Sequence, residues 1–257
     1  MNYNVITPTY DNVQALRELW KKVFMDTDDF LDIFFEKCFL PSRSKCIIVD
    51  NRAVAMLYWL DCSCKGEKIA YIYAVATDER FRKKGLSTLL IDQTHRELSE
   101  NGYAYSVLVP SSPSLFSFYE KKGYKNLTYI NSEAIVKDEC SYGIKLLPIS
   151  FEEYCEKRRK LLMASYIEYG AEFNALLPHL YNFSQGDGFI LAYRKEGSLL
   201  FCPELLGEID NTSAILSALD CEKGILRHSS GDKPFSMYCK LTERELELPI
   251  YFGFALD

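Results

Sequence analysis

Long apolar runs are missing from this 257-residue sequence. The longest, Ala53–Leu60 and Ile69–Ala76, hold eight residues each, whereas a membrane-spanning helix needs about 20. No membrane partner is therefore expected. Nor is an export signal: Met1 is followed by Asn2, Tyr3 and Asn4, with neither a basic stretch nor an apolar core. Positive charge is also in deficit. The 30 basic residues face 36 acidic ones, a net charge of −6, and most of the imbalance lies after residue 140. A general nucleic-acid binder has the opposite sign, because neutralising phosphates takes Lys and Arg. Nucleic acid is excluded as an expected partner.

Metal-binding patterns are scarce too. The nine cysteines are scattered, and only Cys62 and Cys64 lie close, as C-x-C. Zinc sites use paired C-x2-C spacings, and none is present. His95, His179 and His228 are isolated from one another. No metal site is expected, and the thiols read as reduced and mostly buried in a cytoplasmic protein. Two phosphate-binding patterns are absent as well, G-x4-G-K-[ST] and G-x-G-x-x-G.

What remains is ordinary globular composition, 48% hydrophobic and 26% charged, enough to form a core and to exclude a disordered chain. Eighteen tyrosines and 16 phenylalanines point to a ring-rich interior. The apolar spacing predicts a short strand over residues 3–7, then helices over 11–25 and 28–39. Three period-two strands follow, Lys45–Val49, Ala53–Cys62 and Lys68–Ala76, joined through Asp50-Asn51 and Lys65-Gly66. A helix over 86–100, a strand over 104–109, a helix over 115–122 and a hairpin over 124–136 complete an α/β domain within residues 1–137. In residues 138–257 the pattern predicts helices over 151–172 and 173–183 and a hairpin over 189–206. A short helix over 212–219 and strands over 224–228, 235–241 and 250–256 close the chain. The coarse order repeats that of the first domain.

One stretch carries chemistry. Arg82-Lys83-Lys84-Gly85-Leu86-Ser87-Thr88 links the strand ending at Ala74-Val75-Ala76 to a helix. The first N–H groups of a helix have no intrahelical partners, and its dipole adds partial positive charge there. Gly85 lets a ligand approach the backbone, Ser87 keeps the corner open, and three cations surround it. Such a corner suits a pyrophosphate.

Arg82-Lys83-Lys84-Gly85-Leu86-Ser87 resembles the [QR]-x-x-G-x-[GA] signature of the GNAT superfamily of N-acetyltransferases, with Ser87 where the family prefers Gly or Ala. Phe118-Tyr119 through Gly123-Tyr124 is similar to the family's F-Y-x-x-x-G-F segment, in the right order downstream. The resemblance covers residues 1 to about 137. It implies a mixed, mostly antiparallel α/β sheet flanked by helices, with Ala74, Val75, Ala76 and Arg82 to Thr88 holding acetyl-CoA. It implies an oxyanion-holding N–H near Val75 and Tyr119 as the general acid at the departing thiolate. Tyr71 and Tyr73 are candidates to line the acceptor pocket. The activity implied is acetyl transfer to a primary amine of a small molecule or peptide. A non-catalytic CoA-binding sensor is the alternative, because no general base is identifiable. Residues 138–257 lack the loop signature, and Glu204, Glu208 and Asp210 near Gly207 would repel a pyrophosphate. They read as a second, smaller α/β domain, a degenerate and cofactor-free copy. Acceptor identity, acyl-chain length and oligomeric state stay open.

Overall fold

A computed structural model describes residues 3–138, 143–162, 165–245 and 247–256. Its helices are α1 (Val13–Phe24), α2 (Asp28–Lys37), α3 (Leu86–Glu100), α4 (Pro113–Glu120), α5 (Phe151–Leu161), α6 (Ala171–Leu180) and α7 (Ser213–Ala218). Its strands are β1 (Ser44–Val49), β2 (Arg52–Cys64), β3 (Glu67–Thr77), β4 (Tyr105–Leu108), β5 (Lys125–Val136), β6 (Leu147–Pro148), β7 (Glu168–Tyr169), β8 (Asn182–Gln185), β9 (Phe189–Glu196), β10 (Leu199–Gly207) and β11 (Lys223–Lys240). Two compact units result. The first comprises Met1–Lys125, Glu168–Leu176 and Met237–Leu246, and the second Asn126–Ile167, Leu177–Ser236 and Glu247–Asp257.

In the first unit β1, β2 and β3 form an antiparallel meander. Its turns are tight because Asp50, Asn51, Lys65 and Gly66 all adopt positive φ, the geometry of two-residue hairpin loops. β4 lies parallel to β3, paired at Ile69–Tyr105, Ala70–Ser106 and Tyr71–Val107. That parallel step requires a crossover, which α3 supplies. Met237–Lys240 of β11 then pairs antiparallel with β4. Helix α1 buries Leu16, Leu19 and Trp20, and the Thr27 hydroxyl caps α2 by accepting from the Phe30 N–H at 3.3 Å. Ala70, Ile72, Leu86, Leu90, Ile91, Leu98, Leu108 and Tyr119 belong to one apolar core.

Three expectations within residues 1–137 need correction. Residues 3–7 form no strand; Ile6 makes only a single bridge, to Cys46. Helix α2 stops at Lys37 rather than residue 39. The stretch 124–136 is one strand and no hairpin, since it contains neither Gly nor Pro after Gly123 to turn it. The strand beside β4 comes instead from far along the sequence, at Met237–Lys240.

The second unit has antiparallel pairs β6–β8, β8–β9 and β9–β10. β11 runs parallel to β10 across the α7 crossover, and β5 pairs with β11. From α5 to β11 the chain thus repeats the order from α1 to β4: two helices, an antiparallel meander, a helix, a parallel strand. The repeat is reduced, with α7 six residues long against 15 for α3. Ile215, Leu216, Leu191, Leu200, Cys202 and Leu226 form its core.

Here the sequence reading errs in three further ways. Helix α5 ends at Leu161, short of residue 172, and Glu168–Tyr169 pairs with β2 as a strand instead. Residues 224–228 and 235–241 are not separate strands but lie within or just beyond the single β11. A Cβ at Gly231 would collide with the backbone of Ile130 and Asn131, so this glycine permits a close strand approach. Residues 250–256 form only one bridge, Tyr166 to Tyr251.

Glu204, expected only as a charge that would repel a pyrophosphate, is fully buried. It accepts hydrogen bonds from Tyr154 Oη at 2.5 Å, Tyr251 Oη at 2.8 Å and Arg158 Nε at 2.8 Å. The cation and two hydroxyls satisfy a carboxylate that could not otherwise be buried charged.

Candidate active site

The site begins with a fault in β3. Met56 lies opposite Ala76 and Tyr58 opposite Tyr73, so Ala74 and Val75 together answer the single residue Leu57. Ala74 takes φ 48° to accommodate this bulge. The extra residue shifts the side-chain alternation by one. Ala70 and Ile72 face the α3 core, and beyond the bulge Val75 joins that same core. Pairing with β4 has already stopped at Tyr71. Among the described residues, Val75 thus has no one-to-one partner in the β2 register and lies beyond the end of the β4 pairing.

The loop after β3 is anchored by Asp78. Its carboxylate accepts from the Arg80 N–H at 3.0 Å, from Arg80 Nε and Nη2 at 3.1 Å each and from Lys22 Nζ at 3.1 Å. These partners, Arg80 foremost, hold the Asp78 carboxyl well below the usual carboxylate range. Arg82 Nε donates to the Thr77 carbonyl at 3.3 Å. Lys83 and Gly85 both have positive φ, 61° and 78°, and Gly85 is the N-cap of α3. Left-handed residues in such a turn direct N–H groups to a common concave side, where anions bind. Arg82, Lys83, Lys84 and Gly85 are exposed, Ser87 and Thr88 half-buried and Leu86 buried. Beyond its own chain neighbours, nothing among the described residues comes within 4 Å of where a Gly85 Cβ would stand. Lys84 Nζ sits 4.6 Å over the Phe81 ring, on the loop's own surface.

Tyr119, on α4, is 7% exposed and shares the apolar core with Val75 and Leu86. Burial pushes its phenol up to about 12, so the hydroxyl stays protonated, as a proton donor must. That hydroxyl finds no hydrogen-bond partner among the described residues.

Tyr71 and Tyr73 occupy the opposite side of β3. Tyr71 is buried, stacked on Phe173 at 5.7 Å. Tyr73 is half-buried beside Trp20 at 5.6 Å and Phe34 at 5.8 Å. The structure thus groups Val75, Leu86 and Tyr119 on one face and Tyr71 and Tyr73 on the other. Sequence reasoning did not find Asp78 as an anchor or Phe173 as a neighbour of Tyr71. The pair Asp78-Arg80 was the one local signal.

A separate cleft of about 410 Å³ lies at the far end of α3, lined by Ser99, Gly102, Tyr103 and Leu241 to Arg244. Fifteen residues of helix put it roughly 22 Å from the loop, so it plays no part in this site. Among the described residues, no cluster of His, Cys, Asp and Glu could hold a metal, and no helix is long and apolar enough to cross a membrane.

Residues 4–127 match the acetyltransferase (GNAT) domain family. That stretch, just under half of the chain, carries a GNAT acetyltransferase domain. No curated protein matches the sequence. Solved structures share the fold at low identity. A GCN5-related N-acetyltransferase from Anabaena variabilis ATCC 29413 is 16% identical, with TM-score 0.70 over 94% of this chain and 73% of its own. One from Kribbella flavida is 14% identical, with TM-score 0.68 over 92% and 70%. A tandem GNAT protein from the clavulanic acid biosynthesis pathway is 9% identical, with TM-score 0.62 over 95% and 100%. The fold is therefore a GNAT-like mixed sheet followed by a second, smaller α/β unit.

Proposed function

We propose that this protein is an acetyl-CoA-dependent N-acetyltransferase whose acceptor is a primary amine, attacking directly in a ternary complex. The observation that carries this reading is the juxtaposition at one end of β3. An open, cationic, left-handed loop adjoins a bulge that lies beyond the end of the β4 pairing, and Tyr119 shares the same core. Acetyl-CoA fits these residues: an anionic pyrophosphate suits the exposed cations and the open space at Gly85. When bound, it supplies an acetyl group activated as a thioester.

Arg82, Lys83, Lys84, Gly85, Leu86, Ser87 and Thr88 would hold the pyrophosphate through side-chain charge and backbone N–H groups. Ala74, Val75 and Ala76 would hold the arm that enters the gap between β3 and β4. The Val75 N–H supplies the donor for oxygen as it becomes negative. Tyr119 delivers a proton to the departing sulfur. Tyr73, with Tyr71 behind it, lines the acceptor side. The catalytic domain lies within residues 1–137, and residues 138–257 act as a cofactor-free unit. The acidic balance of the second half favours a cationic acceptor, a small molecule or a peptide, and the reaction belongs to the cytoplasm.

The test is mass spectrometry of an amine panel (spermidine, an aminoglycoside, peptides with free N-termini) after incubation with acetyl-CoA. An acetylated amine formed by the wild type and strongly diminished with Tyr119→Phe supports the enzyme. Acetyl-CoA binding without transfer to any amine supports a sensor instead.

A further inference from the structure

Tyr124 stands where the resemblance leads one to expect Phe, and its hydroxyl is not idle. It lies 2.9 Å from His95 Nε2 on α3 and accepts from Ser106 Oγ on β4 at 2.9 Å. Ser106 Oγ and His95 Nε2 are themselves 2.8 Å apart. Ser106 is fully buried and Tyr124 nearly so. With the Ser106 hydroxyl donating to the phenol oxygen, the phenol is free to donate to a neutral imidazole. His95 thus points inward and ties α3 to β4 and to the residue that closes the α4 turn.

That residue touches Tyr119 twice. The two rings meet edge to face at 5.6 Å, and the Tyr124 N–H donates to the Tyr119 carbonyl at 3.1 Å. Tyr119 has no hydrogen bond of its own among the described residues to fix its ring. Its orientation is set by packing alone, and the packing partner on this side is a ring clamped at its far end by two polar groups.

We propose that His95, Ser106 and Tyr124 form a positioning network that fixes the Tyr119 ring through Tyr124, so that the Tyr119 hydroxyl is presented at one place. This rests on the Tyr119 role proposed above. The network explains why a hydroxyl is present in a buried position where a bare ring would satisfy packing. A misplacement on the order of 1 Å in a proton donor can cost up to about a hundredfold in rate. Loosening one ring contact is expected to cost about tenfold.

The experiment follows thiol release from acetyl-CoA, with spermidine and with water alone as acceptor, for the wild type, Tyr119→Phe, Tyr124→Phe and the double variant. Tyr124→Phe keeps the ring and removes only the hydroxyl. The expected result is a kcat about tenfold lower with the KM for acetyl-CoA within about twofold, and a double variant no slower than Tyr119→Phe. Ser106→Ala, which removes one of the two bonds to the phenol, should lower kcat in the same sense and serves if Tyr124→Phe folds poorly. An unchanged kcat in Tyr124→Phe, or a double variant slowed by the product of both effects, overturns the positioning role while Tyr119 stands. If Tyr119→Phe keeps full activity, or the wild type releases no thiol, the Tyr119 role falls first and this inference with it.

Discussion

Lys83 and Gly85, two residues apart in the loop before α3, both hold left-handed backbone, at φ 61° and 78°. Only one of them is a glycine. A left-handed conformation costs a residue with a Cβ about 1–2 kcal/mol. The loop therefore carries strain at Lys83 that it avoids at Gly85.

Two substitutions should then act in opposite directions. Lys83→Gly should stabilise by about 1 kcal/mol, raising the melting temperature by roughly 2–4 °C for a chain of this size. Gly85→Ala should lower it by a similar amount, even though space for the methyl is open. Thermal unfolding of both variants checks this, and equal shifts of the same sign would contradict it.

His95 gives a pH-dependent expectation. Burial depresses its pKa to about 4, below the ordinary value of 6.5. The unfolded chain then binds the proton first as pH falls. The stability associated with neutral His95 is present in full above about pH 6.5 and is lost progressively between 6.5 and 4. Carboxylates titrate in the same range, so the useful quantity is the difference in melting temperature between the wild type and His95→Gln. That difference should shift against the wild type from pH 7 to pH 4. A constant difference would show that His95 titrates normally.

Glu204 and Arg158 form a pair with side chains 0% and 6% exposed. Removing one partner from such a pair leaves a buried unpaired charge and typically costs about 3–5 kcal/mol. Glu204→Ala should destabilise by that order in urea unfolding. The double replacement Glu204→Leu with Arg158→Met should recover part of the loss, because no orphaned charge remains. A double variant worse than Glu204→Ala would refute this account of the pair.

The parts of the molecule legible in the sequence are those decided locally. The turns at Asp50-Asn51 and Lys65-Gly66, the helix starting after Gly85 and the three-strand meander all depend on residues next to one another. The bulge at Ala74 was not legible, because it arises from the register of β3 against β2, and Ala-Val-Ala contains nothing unusual. Glu204 reads only as a charge that would repel a pyrophosphate, because its partners lie 46, 47 and 50 residues away. Tyr71 is covered by Phe173, a residue well outside the expected first domain. Gly231-Asp232-Lys233-Pro234 carries turn chemistry but lies in a continuous strand, since the glycine answers a neighbouring backbone. His95 reads as an isolated histidine because its partners, Ser106 and Tyr124, lie 11 and 29 residues away.

Every role proposed for the site depends on the loop from Arg82 to Thr88 holding acetyl-CoA. Calorimetric titration of the purified chain with acetyl-CoA tests it most directly, with Gly85→Glu as the control. That change puts a negative side chain at the corner and strains its backbone. The expected dissociation constant is on the order of micromolar, as is common for enzyme substrates, with no detectable binding to the variant. A wild type that takes up no acetyl-CoA, or a variant that binds it equally well, would contradict the claim.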